Sequence, residues 1–506
     1  DEIASKIGIH TDSDYRIRSG ILYTLIQSGG EGNVYLPEPM LLERAAQLLG
    51  LQSEQIAPQV DNLAIDKKLV IKMKDDTKCV YSMTYYYAEL NCARMLYELQ
   101  EAFAGADRLT MVEKQRLEKK IEALEKENHM QLDTLQRQAV MDAVENGIFL
   151  LSGGPGTGKT TTINMMIHYF EDEGCDIFLA APTGRAAKRM TEATGFEAKT
   201  IHRLLELNGG TSDEDRNASF ERNDLNPLEA DVIIIDEMSM VDSCLFEAVL
   251  RAISVTCKLV LVGDSDQLPS VGAGNVLKDI IDSGVMSVVT LKEIFRQAQE
   301  SEIVMNAHKI VNGEHIDLAS KDKDFFFMQR LEYGELQDLV VELCKTRLPK
   351  AYDYSPIDDI QVLSPTRKGP AGTVELNKRL QQELNPPAAG KSEVKTPVYT
   401  FRKGDKVMQT KNDYEILWKK YITEDKTESG AGIFNGDIGI IIAVNKILKT
   451  VTIDFEGRIA VYDKQMLDNL ELAYAIKAKV LSLMLSFSLY SVDLTSFITE
   501  IFFIRL

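Results

Sequence analysis

Apolar positions near the N-terminus follow two rhythms in turn, first helical and then strand-like. Residues 43–51 and 55–66 repeat apolar side chains at helical spacing, and residues 68–73 and 79–83 alternate as strands do. This order predicts a small helical, winged-helix-like unit within residues 1–90. A generic module of helices packed on strands fits the same pattern, so both interpretations stay open.

A charged stretch at 111–130 predicts a helix within the connector region 91–130. Its apolar residues Leu117, Ile121 and Leu124 recur at helical spacing. The stretch is shorter than about three heptads, which is too short for a confident coiled coil. We therefore expect solvated connector helices here.

Short apolar strands alternate with helices from residue 131 onward, which is the rhythm of a parallel sheet. A second such region at 291–399 contains a predicted strand at 360–364. In the first region, 131–290, strands are predicted at 149–152, 177–181, 232–236 and 259–263. The predicted fold class is therefore α/β, with two parallel-sheet domains.

The pattern changes between 400 and 465, where short strands are separated by turns such as Asn435-Gly436-Asp437. The strands are predicted at 406–409, 438–444, 450–455 and 458–462. This predicts a small β-barrel inserted into the second α/β domain, which residues 466–506 would complete.

Composition and charge exclude few functions. Hydrophobic residues make up 44% and charged residues 26%, as in soluble globular proteins. The net charge of -20 bears on solubility and does not exclude nucleic-acid binding, because binding needs only a locally basic surface. The six cysteines form no CxxC pair, which disfavours zinc and redox motifs and fits a reducing cytosol.

The ends of the chain carry three further expectations. No signal peptide opens it, and its first residue is Asp1, so we expect a fragment of a longer protein. The apolar stretch 480–504 contains Asp493 and Glu500, which disfavour a membrane span. We therefore expect a cytoplasmic protein.

A glycine-rich loop that follows a strand and precedes a helix fits the pattern GxxxxGK[ST]. Backbone N–H groups of such a loop close on phosphates at a helix N-terminus. Lys159 would reach the β- and γ-phosphates, and Thr160 would hold Mg²⁺. The predicted cofactor-binding residues are Gly153, Gly154, Pro155, Gly156, Thr157, Gly158, Lys159, Thr160 and Thr161. The loop alone indicates a bound nucleoside triphosphate and leaves kinase, GTPase and motor open.

Two carboxylates end the apolar strand that begins at Val232. Asp236 would help to hold Mg²⁺, and Glu237 would position and activate the attacking water. A helix N-cap cluster without a catalytic role is the alternative. A later strand ends in a polar run that contains Gln267, a neutral amide able to sense a γ-phosphate.

In this order, the motifs resemble those of the RecD-like helicases of superfamily 1. The likeness rests on GGPGTGKTTT, APTGRAAKRM, KTIHRLLE, IIIDEMSMVD, GDSDQLPSVGAG and LKEIFRQA, followed by VLSPTRKGPAGTVELNKRLQ and FRKGDKVMQTKNDY. It runs from residue 1 to about 476. Six or more ordered motifs make the resemblance specific.

The resemblance implies roles for individual residues. Gln136 would contact adenine, and Arg296 would be an arginine finger in the cleft between two motor domains. The residues implied to contact single-stranded DNA are Pro182, Thr183, Arg185, Thr200, His202, Arg203, Thr366 and Arg367. A solvated helix face is the alternative for Arg185 and its basic neighbours Lys188 and Arg189.

The resemblance also implies an architecture and an activity. The two α/β regions would be RecA-like motor domains, 400–465 an SH3-like insert, and the segment near 208–227 a hairpin pin that splits the duplex. The implied activity is 5′-3′ DNA unwinding or translocation with ATP and Mg²⁺, in repair or recombination. Its partners would be single-stranded DNA and single-strand/duplex junctions, and the expected state is a stand-alone monomer off the membrane.

After Ile476 the chain departs from the family text. Codons chosen within the degeneracy of the code for 477–485 can encode S-Q-G-S-E-F-D-A in a shifted frame, which is the text the family carries there. We therefore hypothesise that 477–506 is a frameshifted segment. Two alternatives to a RecD-like repair helicase remain. One is a nucleotide- and DNA-binding protein with impaired activity because C-terminal motifs are lost, and the other is a relaxase-associated conjugation helicase.

Overall fold

The structure, a computed structural model, describes residues 13–104, 110–208, 219–295, 299–319, 323–421 and 427–477. These residues belong to two compact units. The first unit falls within Asp1–Leu207 and Phe220–Glu300, and the second within Asn208–Ser219 and Ser301–Leu506. The hypothesised frameshifted tail, from residue 478 onward, lies outside the described residues.

The N-terminal part of the first unit packs three helices on a three-stranded antiparallel sheet of order β1-β3-β2. Its core contains Ile21, Leu36, Leu41, Val60 and Val80. The elements are α1 (Asp14–Gly29), β1 (Tyr35–Pro37), α2 (Glu38–Leu49), α3 (Ser53–Ile65), β2 (Leu69–Lys74) and β3 (Thr77–Ser82). The order of helices and strands is that of a winged helix, one of the two interpretations that the spacing leaves open.

Two long helices follow, α4 (Met83–Ala104) and α5 (Met111–Glu127). Helix α4 runs without a break through residue 90, where the sequence suggested a domain boundary. The apolar stripe of α5 is buried against the core of the next domain, with Leu117 4% and Ile121 2% exposed. The expectation of a solvated connector therefore holds only for the charged face of α5.

A parallel sheet forms the rest of the first unit, with described strands in the order β11-β4-β10-β9-β5-β6. The strands are β4 (Ile148–Gly153), β5 (Ile177–Ala181), β6 (Ala198–Thr200), β9 (Val232–Ile235), β10 (Lys258–Gly263) and β11 (Ser287–Leu291). Strands β4 and β9 are fully buried, as expected for a parallel sheet covered on both faces.

Helices and two short strands complete the first unit. They are α6 (Thr134–Glu145), α7 (Lys159–Asp172), α8 (Gly184–Thr194), α9 (Ile201–Leu204), α10 (Ser243–Ala252) and α11 (Val276–Ser283), with β7 (Leu207–Asn208) and β8 (Ser219–Phe220). The N–H of Glu221 donates to Glu206 O at 3.1 Å, and that of Arg222 to Leu205 O at 3.2 Å. This pairing is the base of the segment in which we predict a hairpin pin; residues 209–218 lie outside the described part.

The second unit contains a small parallel pair, β12 (Val362–Ser364) with β22 (Ala475–Lys477). Helix α15 (Thr373–Leu384) is hydrogen-bonded to this pair. The side-chain amide of Asn377 donates to the carbonyls of Leu472 and Ala475 at 2.7 and 2.8 Å. The other helices are α12 (Glu302–Val311), α13 (Tyr333–Glu342) and α14 (Leu348–Tyr352), with a π-helical turn at Leu343–Arg347.

A seven-stranded antiparallel sheet occupies most of the predicted β-insert, in the order β17-β16-β20-β19-β18-β15-β21. Its strands are β15 (Lys406–Gln409), β16 (Asp413–Tyr421), β17 (Thr427–Ile433), β18 (Ile438–Asn445), β19 (Thr450–Phe455), β20 (Arg458–Tyr462) and β21 (Leu470–Leu472), and the hairpin β13 (Glu393–Lys395) and β14 (Thr400–Arg402) precedes it. Sequence patterning missed β16 and β17, because exposed Leu417 and the glycines of β17 interrupt the alternation.

Candidate active site

The glycine-rich loop leaves β4 and enters α7 with two glycines in the left-handed region of backbone conformation. Gly156 and Gly158 have φ of +75° and +83°, which side chains other than glycine rarely adopt. The Lys159 ammonium donates to the carbonyls of Gly153 and Gly154, the second at 3.1 Å. Thr157 Oγ1 donates to Gly154 O at 2.9 Å. These hydrogen bonds fix the backbone of the loop at the N-terminus of α7.

Replacing Gly158 with Ala is expected to weaken nucleotide binding at least about tenfold and to destabilise the first unit by about 1–3 kcal/mol. The added Cβ would lie 2.4 Å from Gln136 Nε2 and 2.4 Å from Phe295 Cε2, on a backbone with φ +83°. Titration with a fluorescent ATP analogue and urea unfolding measure the two effects.

Gly174→Ala is the matched control for that substitution. Gly174 has φ +75°, and no atom lies within 4 Å of a Cβ built there. It therefore shares the backbone strain without the collision. Equal nucleotide affinities for the two variants would show that the close contacts around Gly158 do not contribute to nucleotide binding.

The acidic pair lies at the carboxyl end of β9 in a buried setting. Burial raises the pKa of Asp236, whereas the N–H of Glu237, donating to Asp236 Oδ1 at 2.8 Å, and the Lys159 ammonium lower it. Burial, followed by the charge of Asp236, raises the pKa of Glu237, and Lys159 opposes the rise. The lysine of the loop and both carboxylates therefore lie within electrostatic reach of one another.

Glu237 also has a strained backbone, with φ +56°. Non-glycine residues held in this region cost about 1–3 kcal/mol and occur often at functional sites. The strain is retained because buried Met238 and Ser239 fix the turn that follows. The geometry favours a functional carboxylate over an N-cap, because the side chain that caps α10 is Asp242, donated to by the N–H of Leu245.

The end of β10 adds a third carboxylate. Asp264 is 4% exposed, accepts the N–H of Asp266 at 3.0 Å and raises the pKa of Glu237. Gln267 follows on a turn, where it is exposed, and its backbone N–H donates to Asp264 O at 3.3 Å. Because β10 lies between β4 and β9, Gln267 belongs to the same sheet edge as the glycine loop.

Gln136 is fully buried and contacts the glycine loop, which the sequence did not predict. Its Oε1 accepts the N–H of Asp133 at 3.0 Å, and its Nε2 donates to Gly158 O at 3.2 Å. The amide therefore ties the start of α6 to the glycine loop. The predicted contact with adenine stays a prediction.

The DNA-contact candidates of the first unit begin at neighbouring strand ends. Ala181 and Thr200 are partners in the parallel pair β5–β6, so the segments starting at Pro182 and Thr200 emerge side by side. Thr183 Oγ1 accepts the N–H of Ala186 and Thr200 Oγ1 that of Arg203, both at 3.2 Å; these hydroxyls cap α8 and α9. Arg185 and Arg203 are exposed, and His202 is half-buried, its ring 5.9 Å from that of Phe220.

The two other basic residues of α8 differ in their surroundings. Lys188 faces Glu192 at 3.9 Å, an i,i+4 pair on a solvated helix face. The charge of Arg189 lowers the pKa of Glu237. Arg189 thus belongs to the electrostatic environment of the acidic pair, which sequence spacing could not show.

In the second unit, the candidates Thr366 and Arg367 follow β12. Both are exposed, and Arg367 forms an ion pair with Glu471. The Thr366 carbonyl accepts the N–H of Thr373 at 3.0 Å, which holds the turn before α15. Arg296 lies outside the described residues; Phe295, just before it, donates its N–H to Gly156 O at 3.2 Å.

Two family models match this chain. One, described as an AAA domain, matches residues 131–325, and the other, described as the SH3 domain of ATP-dependent RecD-like DNA helicases, matches residues 376–455. The chain is related to the RecD-like helicases. The predicted α/β fold class with an SH3-like insert is confirmed.

Named relatives agree with the family models. The ATP-dependent RecD2 DNA helicase of Deinococcus radiodurans is 33% identical over 342 residues, which cover 67% of this chain and 42% of the relative. The RecBCD enzyme subunit RecD of Mycolicibacterium smegmatis is 30% identical over 359 residues, covering 62% of this chain and 58% of the relative. The chain thus spans less than two thirds of the length of these relatives.

A solved structure of Pif1 helicases acting on forked duplex DNA is 20% identical, with a TM-score of 0.38, and covers 69% of this chain and 82% of that one. Among the described residues, no helix is both long enough and apolar enough to cross a bilayer. No group of three or more His, Cys, Asp or Glu side chains in this part of the chain is arranged to hold a metal ion on its own.

Proposed function

We propose that this chain is an ATP-dependent DNA helicase or translocase that moves 5′ to 3′ on single-stranded DNA during repair or recombination. The observation that supports it is one sheet edge. The glycine loop, the acidic pair, Gln267 and the two DNA-contact segments of the first unit start from the carboxyl ends of five of its six parallel strands. Ligands of open parallel sheets bind at this edge.

The residues present fit Mg²⁺ and a nucleoside triphosphate. Gly153 and Gly158 have no room for a Cβ, since their own loop and neighbouring side chains lie within 2.6 Å of the position it would take. Backbone N–H groups of the loop and Lys159 would hold the phosphates, and Thr160 with Asp236 would hold the metal. Bound Mg²⁺ would supply neutralisation of phosphate charge.

Glu237 is assigned the proton acceptor for the attacking water. Its carboxylate lies beside Asp236 and Asp264 in a buried setting that raises its pKa, so it holds a proton more readily than an exposed Glu. Lys159 and Arg189 limit the rise. Gln267, at the end of the strand between the loop and the acidic pair, would detect the γ-phosphate. Arg296 keeps its predicted role as arginine finger.

DNA is expected to lie along the neighbouring β5 and β6 ends. Exposed Arg185 and Arg203 can meet phosphates, and contacts of this kind bind without regard to base sequence. Thr366 and Arg367 would contribute DNA contacts from the second unit. We expect a monomer in the bacterial cytoplasm that engages single-stranded DNA and its junctions with duplex.

Single-stranded DNA is expected to stimulate ATP hydrolysis by this chain at least about tenfold. The physical reason is that phosphate contacts near the sheet edge would couple DNA to the nucleotide loop. Steady-state ATPase assays with and without a 20-nucleotide oligo-dT measure it. Lys159→Ala should remove the activity in both conditions, which excludes a contaminating ATPase.

A nucleotide- and DNA-binding protein with impaired activity is the second candidate. It is favoured by the departure from the family text after Ile476, which removes motifs expected to couple hydrolysis to DNA. Nucleotide and DNA binding without stimulated hydrolysis would support it. Restoring the family frame after residue 476 should then recover the stimulation.

A further inference from the structure

A row of tyrosine rings crosses the outer face of the N-terminal three-stranded sheet. Tyr35 and Tyr81 are cross-strand partners whose ring centroids lie 5.0 Å apart, and Tyr81 lies 5.6 Å from Tyr86 of α4. Tyr86 lies 5.4 Å from Tyr87, which is 47% exposed. These four residues, here called the tyrosine row, form a continuous aromatic surface.

Two lysine ammonium groups stand over this row. Lys72 Nζ lies 5.4 Å from the centroid of Tyr86, and Lys74 Nζ lies 5.7 Å from that of Tyr35. Cation–π attraction at such distances holds the ammonium groups near the rings. Each can still donate hydrogen bonds to an incoming anion, because the ring faces contact only part of it.

Strand register explains why Tyr35, Tyr81 and the two lysines share the sheet face that lies opposite the core. Val70 pairs with Tyr81, and Lys72 and Lys74 follow Val70 by two and four residues, so they share its face. The opposite face carries Leu36 and Val80, which are buried in the core of the N-terminal unit. The aromatic and basic side chains are therefore not needed to close that core.

The helix that a helix-turn-helix protein would insert into the major groove is poorly suited to DNA here. Helix α3, the third of the N-terminal unit, contains no Lys or Arg and carries Glu54 and Asp61. Lys78 of β3 is already paired with Glu38 at 3.2 Å and with Asp61 of α3 at 3.6 Å. Duplex readout by this helix is thus disfavoured, and the available cations lie on the β2–β3 side.

We propose that the tyrosine row, with Lys72 and Lys74, is an auxiliary binding surface for single-stranded nucleic acid. Bases stack on the row from its exposed end at Tyr87, the other three rings being half-buried, and the two exposed lysines contact phosphates. This combination is suited to single strands of any sequence. Burial raises the pKa values of Glu89 and Asp279, and the charge of Lys74 opposes the rise in both. These two acidic groups next to the surface restrict it to few phosphates. The surface therefore adds to the grip of the motor rather than replacing it.

Neutralising both lysines tests the electrostatic part. Lys72→Gln with Lys74→Gln in the full chain is expected to weaken binding of fluorescein-labelled 20-nucleotide oligo-dT about tenfold near 0.1 M salt. The slope of log affinity against log salt should become shallower by about 1.4, because each phosphate contact on a single strand contributes about 0.7. Fluorescence anisotropy without nucleotide measures both quantities.

Lys119→Gln with Lys126→Gln is the matched control, since it removes two exposed charges from α5 in the same unit. It should bind the oligonucleotide within about twofold of the parent. Binding by the Lys72/Lys74 double variant within that same range, with an unchanged salt slope, overturns the proposal. An equal loss in both double variants would mean only a net-charge effect and also overturns it.

Tyr87→Leu tests stacking, with Tyr97→Leu, an exposed residue of the same helix, as its control. The first is expected to weaken oligo-dT binding about fivefold and the second to leave it unchanged. No change at Tyr87 removes the assignment of bases to the rings. Because these measurements need no ATP, a chain that fails the ATPase test can still pass this one, and the maximal ATPase rate should be unchanged in all four variants.

Discussion

Replacing Glu237 with Gln is expected to lower the kcat of DNA-stimulated ATP hydrolysis by about 100- to 10,000-fold. Gln keeps the size of the side chain and its place beside Asp236 and Asp264, but it cannot take a proton from water. Because burial already disfavours the charged form of Glu237, the substitution should not weaken nucleotide binding. Steady-state kinetics and titration with a fluorescent ATP analogue give kcat and affinity separately.

Glu118→Gln is the control for the Glu237 substitution. Glu118 is exposed on α5, outside the sheet edge, so the same chemical change should leave kcat within about twofold of the parent. A Glu237→Gln chain that hydrolyses ATP within tenfold of the parent would remove Glu237 as the proton acceptor. A matching loss of nucleotide affinity would instead indicate that the turn after β9 had collapsed.

Replacing Asp405 with Ala is expected to destabilise the second unit by about 3–5 kcal/mol. Asp405 is fully buried and accepts four hydrogen bonds, from Asn385 Nδ2, Gln381 Nε2 and the N–H of Arg402 at 2.6 Å each, and from Tyr474 Oη at 2.9 Å. Alanine would remove the acceptor of the Arg402 N–H and of Tyr474 Oη. Gln381 Nε2 and Asn385 Nδ2 would each keep one bond, to Thr400 O and Lys403 O respectively.

The chain offers a local probe of this effect. Its one tryptophan, Trp418, is 7% exposed in β16 of the second unit, so its fluorescence follows unfolding of that unit. Urea unfolding should give a lower midpoint for Asp405→Ala. Asp468→Ala, an exposed Asp in the same unit, should leave the midpoint unchanged. A difference below about 1 kcal/mol between the two variants would show that the donors find other partners.

The Asp405 network also explains how the β-insert is attached to its domain. The carboxylate precedes β15, its donors Gln381 and Asn385 belong to α15 and its end, and Tyr474 lies next to β22. One buried side chain therefore joins the insert, the helix and the parallel pair. The sequence FRKGDKVMQ marks Asp405 as part of a family-like stretch, but no local pattern shows that four donors from distant segments meet there.

Local patterning was sufficient where one short segment carries the whole signal. The strands at 177–181, 406–409, 450–455 and 458–462 have the bounds that their sequence predicts, because each alternates or runs apolar between clear turns. The glycine loop and the acidic pair were located for the same reason: each is a few residues at the end of an apolar strand. Weaker alternation concealed β16 and β17.

The sequence by itself determined the fold class and which residues end the strands of the first unit, since both depend on periodicity and on short contiguous motifs. The tertiary structure alone decided that β10 lies between the loop and the acidic pair, that Arg189 reaches the field of Glu237, and that Gln136 is tied to Gly158. These are contacts between segments far apart in the chain, and the order of strands in a parallel sheet, which creates them, leaves no local trace in the sequence.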